Sequence, residues 1–236
     1  MRKITCLLIA AVFCGTLSIY ANGYSFGAPD YEQIERNIQD PTSSFYFPKL
    51  MARYLDGDPT MSLEESRHLY FGFVFHPAFA LYDGSAEYNR LLVNTLRNPT
   101  FSEQDVADIL RFTQALLKRD PFNLRALNAQ LLVHAYHEDM TEYARVAWQR
   151  HIVQNAILST GDGMTQQTPF FVIRAAHQYD VVSLLGFHFG GVDRSVRNRG
   201  IRGIFARNRH INFLSVEENI FGIRRVYFDI SPTMRR

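Results

Sequence analysis

Cysteine is nearly missing from this chain: two residues in 236, Cys6 and Cys14, both near the N-terminus. If that leader is removed no thiol remains, which excludes disulfides, cysteine nucleophiles and thiolate metal ligands and leaves packing to hold the fold. A membrane-spanning run is lacking too. The longest apolar stretch, Ile4 to about Leu17, is diluted by Thr5, Gly15 and Thr16 and falls short of the roughly 20 residues that a spanning helix needs. No serine or threonine has a glycine-flanked elbow or a neighbouring base in sequence, so no nucleophilic hydrolase declares itself. Nor is there an excess of one charge: apart from Arg2 and Lys3, 23 basic residues face 23 acidic ones.

The leader itself has the parts of a secretory signal peptide: Arg2 and Lys3, the apolar run, then Tyr20, Ala21 and Asn22. The expectation is a signal peptide over residues 1–21 and export to the periplasm, the cell surface or the medium, with no transmembrane span in the mature chain. Cys14 is preceded by bulky Phe13, where a lipidation site wants a small residue. Export also makes nucleic acid an unexpected partner.

Neutrality conceals a division. Residues 22–169 hold 12 basic and 18 acidic side chains, a balance of −6, whereas residues 170–236 hold 11 and 5, a balance of +6. Opposed halves can attract each other within one molecule, or the basic half can meet an anionic glycan, a lipid headgroup or an acidic face of an envelope protein.

The first half punctuates itself as helices. Asp30 to Asp40 stops at Pro41, and Phe45 to Leu55 ends at the turn Asp56-Gly57-Asp58-Pro59. Ser62 and Glu65 form a capping box that opens a helix to about Phe75, with loop from His76 to Ser85. Ser102 and Asp105 open another, with Phe101 and Val106 as its hydrophobic staple, to Lys118–Asp120. Pro121 can begin the next, carrying Leu124, Leu127 and Leu131 as one stripe to about His137, and Asp139 restarts the pattern to about Leu158. This order resembles a tetratricopeptide-type helical hairpin, on Asp120, Pro121, Leu127, Ala135, Tyr136 and Ala144, with Leu131 in place of the close-packing glycine.

Beyond Pro169 the apolar runs become short, aromatic and β-branched. Phe170–Ile173 and Phe187–Phe189 read as strands, and Tyr179–Leu185 as a helix. His210–Val216 and Ile223–Ile230 read as a hairpin, in which Val226, Phe228 and Ile230 alternate with Arg225, Tyr227 and Asp229. The expected fold is α+β: an N-terminal helical layer with its tetratricopeptide-like hairpin over residues 22–165, then a small, mostly antiparallel C-terminal sheet within residues 166–236, which include an arginine-rich loop at 191–209.

The segments YFPKLMARYLDGD, LEESRHLYFGFVF, RDPFNLRAL, AILSTGDG and VEENIFGIRRVYFDIS together resemble a family of exported Bacteroidetes proteins described only as a domain of unknown function. The resemblance covers about Asp30 to Ser231 and implies an extracytoplasmic protein of helices plus sheet. It carries over no catalytic residue. The chain departs from that pattern between Gly191 and Arg209, where a much shorter link is expected.

Four groups of residues invite a functional reading. Arg194, Arg197, Arg199, Arg202, Arg207 and Arg209, broken up by glycines, suit sulfate, phosphate or carboxylate. His134 and His137 on one helix and His151 on the next could in principle hold zinc, though the spacing is not that of a zinc protease; His134 reads more simply as a core histidine and His137 as a complement to the helix end. Asp162, between Gly161 and Gly163, could serve as a base or expose backbone N–H groups to an anion, but a helix end followed by a tight turn needs glycine there regardless. Tyr46, Phe47, Tyr54, Tyr70, Phe71, Phe73 and Phe75 could line a groove, although such stripes are mostly core.

No cofactor is called for. The reading favoured is a non-catalytic binding or scaffolding module of the cell envelope, with an envelope protein or anionic glycan as partner. A metal- or carboxylate-dependent hydrolase of extracellular polymers and a purely structural envelope component stand beside it, and whether the chain catalyses anything is open at this level.

Overall fold

Asp30 accepts a hydrogen bond from the Gln33 N–H at 3.0 Å and so opens the first helix, α1 (Tyr31–Gln39), which buries Ile34 and Ile38 one turn apart. The computed structural model describes residues 26–80, 86–191 and 210–234. The leader with its two cysteines, and the six arginines from 194 to 209, lie outside the described residues.

α2 (Phe47–Leu55) has proline in its first turn, and α3 (Leu63–Gly72) opens on the Ser62–Glu65 capping box. α3 continues to Phe75 as a 3-10 turn. Where loop was expected, Pro77–Ala80 forms a short helix, α4, because His76 turns extended and its Nδ1 accepts the Ala78 N–H at 3.2 Å. α5 (Ala86–Thr95) is a helix that the sequence reading does not assign, although Tyr88, Leu91, Leu92 and Leu96 have helical spacing.

α6 (Glu103–Arg119) carries the capping box of Ser102 and Asp105, a device that contributes about 1 kcal/mol. α7 (Leu124–Tyr136) starts at Leu124 and not at Pro121: the Asn123 side chain caps it, which leaves Pro121 and Phe122 free to turn. α8 (Met140–Leu158) follows after a link in which Glu138 takes φ +56°, while the N–H groups of Glu138 and Asp139 return to the carbonyls of Ala135 and His134. Leu124, Leu127 and Leu131 are buried, as their stripe requires.

The helices pack in the order α1-α3-α8-α7-α6-α5, with α2 against both α3 and α8. A smaller apolar cluster, centred on Leu92, Ile109, Phe112 and Ala126, joins α5, α6 and α7. The larger one runs from Ile34 through Phe122 and Val153 to Phe228 and is shared by helices and sheet. Among the described residues no helix is long and apolar enough to cross a membrane.

β1 (Phe170–Phe171), β2 (Ile211–Ser215) and β3 (Arg225–Asp229) form a sheet in the order β1-β3-β2. The expected hairpin is present, with Ile211 opposite Asp229 and Ser215 opposite Arg225. β1 joins β3 in parallel, Phe170 opposite Phe228, so the sheet is mixed. The strand expected at Phe187–Phe189 reduces to one bridge, Phe189 to Val216. α9 (His177–Leu184) packs on β2 and α7. The fold is α+β, helices first.

The corner between α2 and α3 is fastened by Arg53, which binds Asp58 at 2.6 Å, Thr60 at 3.2 Å and Glu65. Hydrogen bonds from the Thr60 hydroxyl, Arg53 and the Thr60 N–H hold Asp58 down to about 2. A carboxyl depressed in the folded state stabilises above its unfolded value of 3.8, and that contribution is lost as pH falls through about 2. Asp58→Asn is therefore expected to flatten the decline in urea midpoint between pH 4 and pH 2; an unchanged slope would show that the corner does not hold in solution.

Candidate functional site

The turn Asp120-Pro121-Phe122-Asn123 gathers contacts from four directions. Asn123 caps α7 through Ala126 N–H at 2.9 Å, and the Pro121 carbonyl accepts the Tyr54 hydroxyl at 2.6 Å. Phe122 is buried edge-on among Tyr54, Tyr70 and Phe73, with ring centroids 5.1, 5.7 and 5.2 Å away. Asp120 accepts the Phe122 N–H on Oδ1 at 3.3 Å, and its Oδ2 lies 3.3 Å from His177 Nε2. On the other side of that ring the Tyr70 hydroxyl lies 2.8 Å from Nδ1 and accepts the Ile173 N–H at 3.3 Å.

One proton assignment satisfies the whole chain: Ile173 N–H donates to Tyr70, Tyr70 donates to Nδ1, and Nε2–H donates to Asp120. Burial pushes the Tyr70 phenol well above its ordinary 10, so it keeps the proton this arrangement needs. An acid, an imidazole and a hydroxyl in series are the parts of nucleophilic catalysis. Here all three are shut away from solvent. What the relay does is join α3, the α6–α7 turn and α9. One turn along α9, Asp180 Oδ1 accepts from Arg125 Nη2 at 3.3 Å, and burial pushes this carboxyl up while Arg125 partly offsets it.

The accessible site lies on the outer face of the sheet. β3 turns Val226 and Phe228 into the core and Arg225 and Tyr227 outward, as expected, but Asp229, expected on the outward phase, is fully buried, its carboxylate accepting the N–H and hydroxyl of Ser231. The Arg225 guanidinium lies 4.6 Å over the ring of Phe213. Around them opens a cleft of about 820 Å³, whose lining includes Met164, Ser215, Ile223, Arg224, Arg225 and Tyr227. Two guanidinium groups, a phenol and a hydroxyl suit a carboxylate, sulfate or phosphate.

The 161–169 loop abuts this cleft through Met164. Asp162 stays within the loop: its Oδ1 accepts the Met164 N–H at 2.9 Å and the Thr168 hydroxyl at 2.6 Å. Gly163 binds Thr168 and, through its carbonyl, the Tyr227 N–H. The turn therefore carries the glycines for structural reasons.

The histidines do not gather. His134 is half-buried and is not the core residue its place on the leucine stripe suggested; His137 caps the end of α7, and His151 pairs with Asn155 at 2.8 Å. Burial, then neighbouring Arg150, pushes His151 down. Among the described residues no three His, Cys, Asp or Glu side chains are grouped so as to hold a metal ion. Among the described residues the histidines that are buried are His68 and His177, and His177, with no exposure at all, is marked by no local pattern. Phe47, Tyr54, Tyr70, Phe71 and Phe73 are buried, and Tyr46 and Phe75 are partly so; these aromatics are packing, not a groove. Arg225 and Tyr227 were legible as the outward phase of a strand, but nothing local told that Met164 and Ser215 would share a cleft with them.

The chain belongs to the family described as a domain of unknown function (DUF4919), matched over residues 32–236. The five segments that carry the resemblance all fall within that match. No curated protein and no solved structure matches the chain.

Proposed function

We propose that this chain is a non-catalytic binding module of the cell envelope, exported by its N-terminal leader, which holds an acidic group of its partner between Arg224 and Arg225. The observation that carries this reading is the cleft: two exposed arginines, Arg224 and Arg225, line it together with Tyr227 and Ser215. It draws support from the +6 balance of residues 170–236, which makes that end of the chain attractive to anions. The acid–imidazole–hydroxyl chain is sealed in the core and joins elements, whereas the cleft is open to solvent. The basic and apolar leader, with the likeness to exported Bacteroidetes proteins, supports the envelope as its destination.

The test is binding of the purified chain to a sulfated polysaccharide such as heparin, followed at increasing salt. The affinity is expected to fall as salt screens the arginines, and Arg224→Gln with Arg225→Gln to lower it by roughly tenfold or more at low salt. Equal affinity of the double variant and the unaltered chain would refute the assignment.

A further inference from the structure

The two most exposed large apolar side chains among the described residues are neighbours: Ile220 at 94% and Phe221 at 68%. They stand at the apex of the β2–β3 hairpin. A loop that exposed them through looseness would have few internal bonds, and this one is fastened. The Asn219 amide Nδ2 donates to the carbonyls of Glu217 and Ile223 at 2.9 and 2.6 Å, and its Oδ1 accepts the N–H groups of Phe221 and Ile223 at 3.2 Å each. Gly222 takes φ +66° and donates to the Asn219 carbonyl at 3.0 Å. The Val216 N–H then closes the loop on the Arg224 carbonyl at 3.1 Å. One asparagine thus holds two greasy side chains out in water, where exposed apolar surface mostly marks a contact.

What stands behind the apex indicates the kind of contact. Phe221 lies edge-on to Phe187, 6.4 Å between centroids, and Phe189, partly exposed and edge-on to Tyr179, is bridged to Val216 at the base of the loop. Ile223, Arg224 and Arg225 come next and line the cleft. From the tip inward the order is apolar, aromatic, then cationic. A lipid surface offers the complementary order, acyl chains beneath an interface that favours aromatic rings, with phosphates outermost. A purely polar anionic polymer would engage the arginines and leave Ile220 and Phe221 without a partner.

We propose that the hairpin apex docks on a lipid surface bearing anionic headgroups, Ile220 and Phe221 entering the acyl boundary while Arg224 and Arg225 meet the phosphates. This rests on the anion-binding reading of the cleft. Glu217 and Glu218 at the other side of the loop oppose an anionic surface, so the apolar tip and the arginines must act together.

The experiment is co-sedimentation with vesicles of phosphatidylcholine, alone or with one third phosphatidylglycerol, all proteins prepared identically so that the N-terminal apolar segment is common to them. The unaltered chain is expected to pellet with the mixed vesicles. Ile220→Ser with Phe221→Ser should lower its partition coefficient about tenfold or more, since the side chains removed are largely exposed. The same variant should keep its affinity for heparin, which separates the tip from the cleft. Arg224→Gln with Arg225→Gln should abolish the preference for phosphatidylglycerol. Heparin binding without vesicle binding would overturn the lipid proposal and leave the cleft reading standing. Equal pelleting of the Ile220 and Phe221 double variant would also overturn it, as would a self-association of the chain that this variant abolishes while vesicles are ignored.

Discussion

His177→Ala is expected to lower the unfolding free energy by about 3–5 kcal/mol, the range found when one partner of a buried polar pair is removed. The ring has no solvent exposure and sits between Tyr70 and Asp120, so alanine leaves a cavity, a carboxylate short of one donor and a phenol without its acceptor. Water cannot take over cheaply in a site walled by Phe122 and Tyr70. Urea denaturation at pH 7 measures the loss. Asp120→Ala combined with His177→Ala should cost less than the two single changes summed, because each already breaks the same contact. A loss under about 1 kcal/mol, or strict additivity, would mean that the relay does not join α3, the α6–α7 turn and α9 as described.

Gly163→Ala should cost about 2–4 kcal/mol, for two separable reasons. Its φ is +69°, which a side chain resists, and a Cβ there would stand 2.5 Å from the Phe170 ring and 2.9 Å from Val226. The backbone cannot move aside easily, because its N–H and carbonyl are bound to Thr168 and Tyr227 at 2.8 Å each. Gly186→Ala is the control: φ is +78°, but nothing lies within 4 Å, so only the conformational cost of about 1 kcal/mol applies. Thermal or urea unfolding of the two variants side by side isolates the clash. Equal losses would show that Gly163 is needed for its backbone angle alone and that β1 and β3 do not close on it.

Both residues show where sequence reading stops. The Gly161-Asp162-Gly163 turn was legible, since a helix end followed by glycines has a local cause, but its contact with Phe170 and Val226 was not. His177 carries no local sign at all. It meets Asp120 57 residues away and Tyr70 107 residues away. The candidate cleft behaves likewise: the outward phase of β3 announces Arg225 and Tyr227, while Met164 enters from a loop about sixty residues earlier in the chain. α5 is the opposite case: the sequence reading does not assign it, although Tyr88, Leu91, Leu92 and Leu96 stand at helical spacing.

What the amino-acid order determines by itself is local: the helix starts at Ser62, Ser102 and Asp139, the alternation of β3 from Arg225 to Phe228, and the division into a helical half and a strand-bearing half. Those depend on hydrogen bonds and side-chain spacings a few residues apart, so neighbouring letters suffice to state them. The tertiary structure alone decided the parallel place of β1 beside β3, the sealed relay and the cleft. Each of these arises from pairing surfaces distant in sequence, where the burial of whole helix and sheet faces selects one arrangement, and no short stretch of the chain contains that choice.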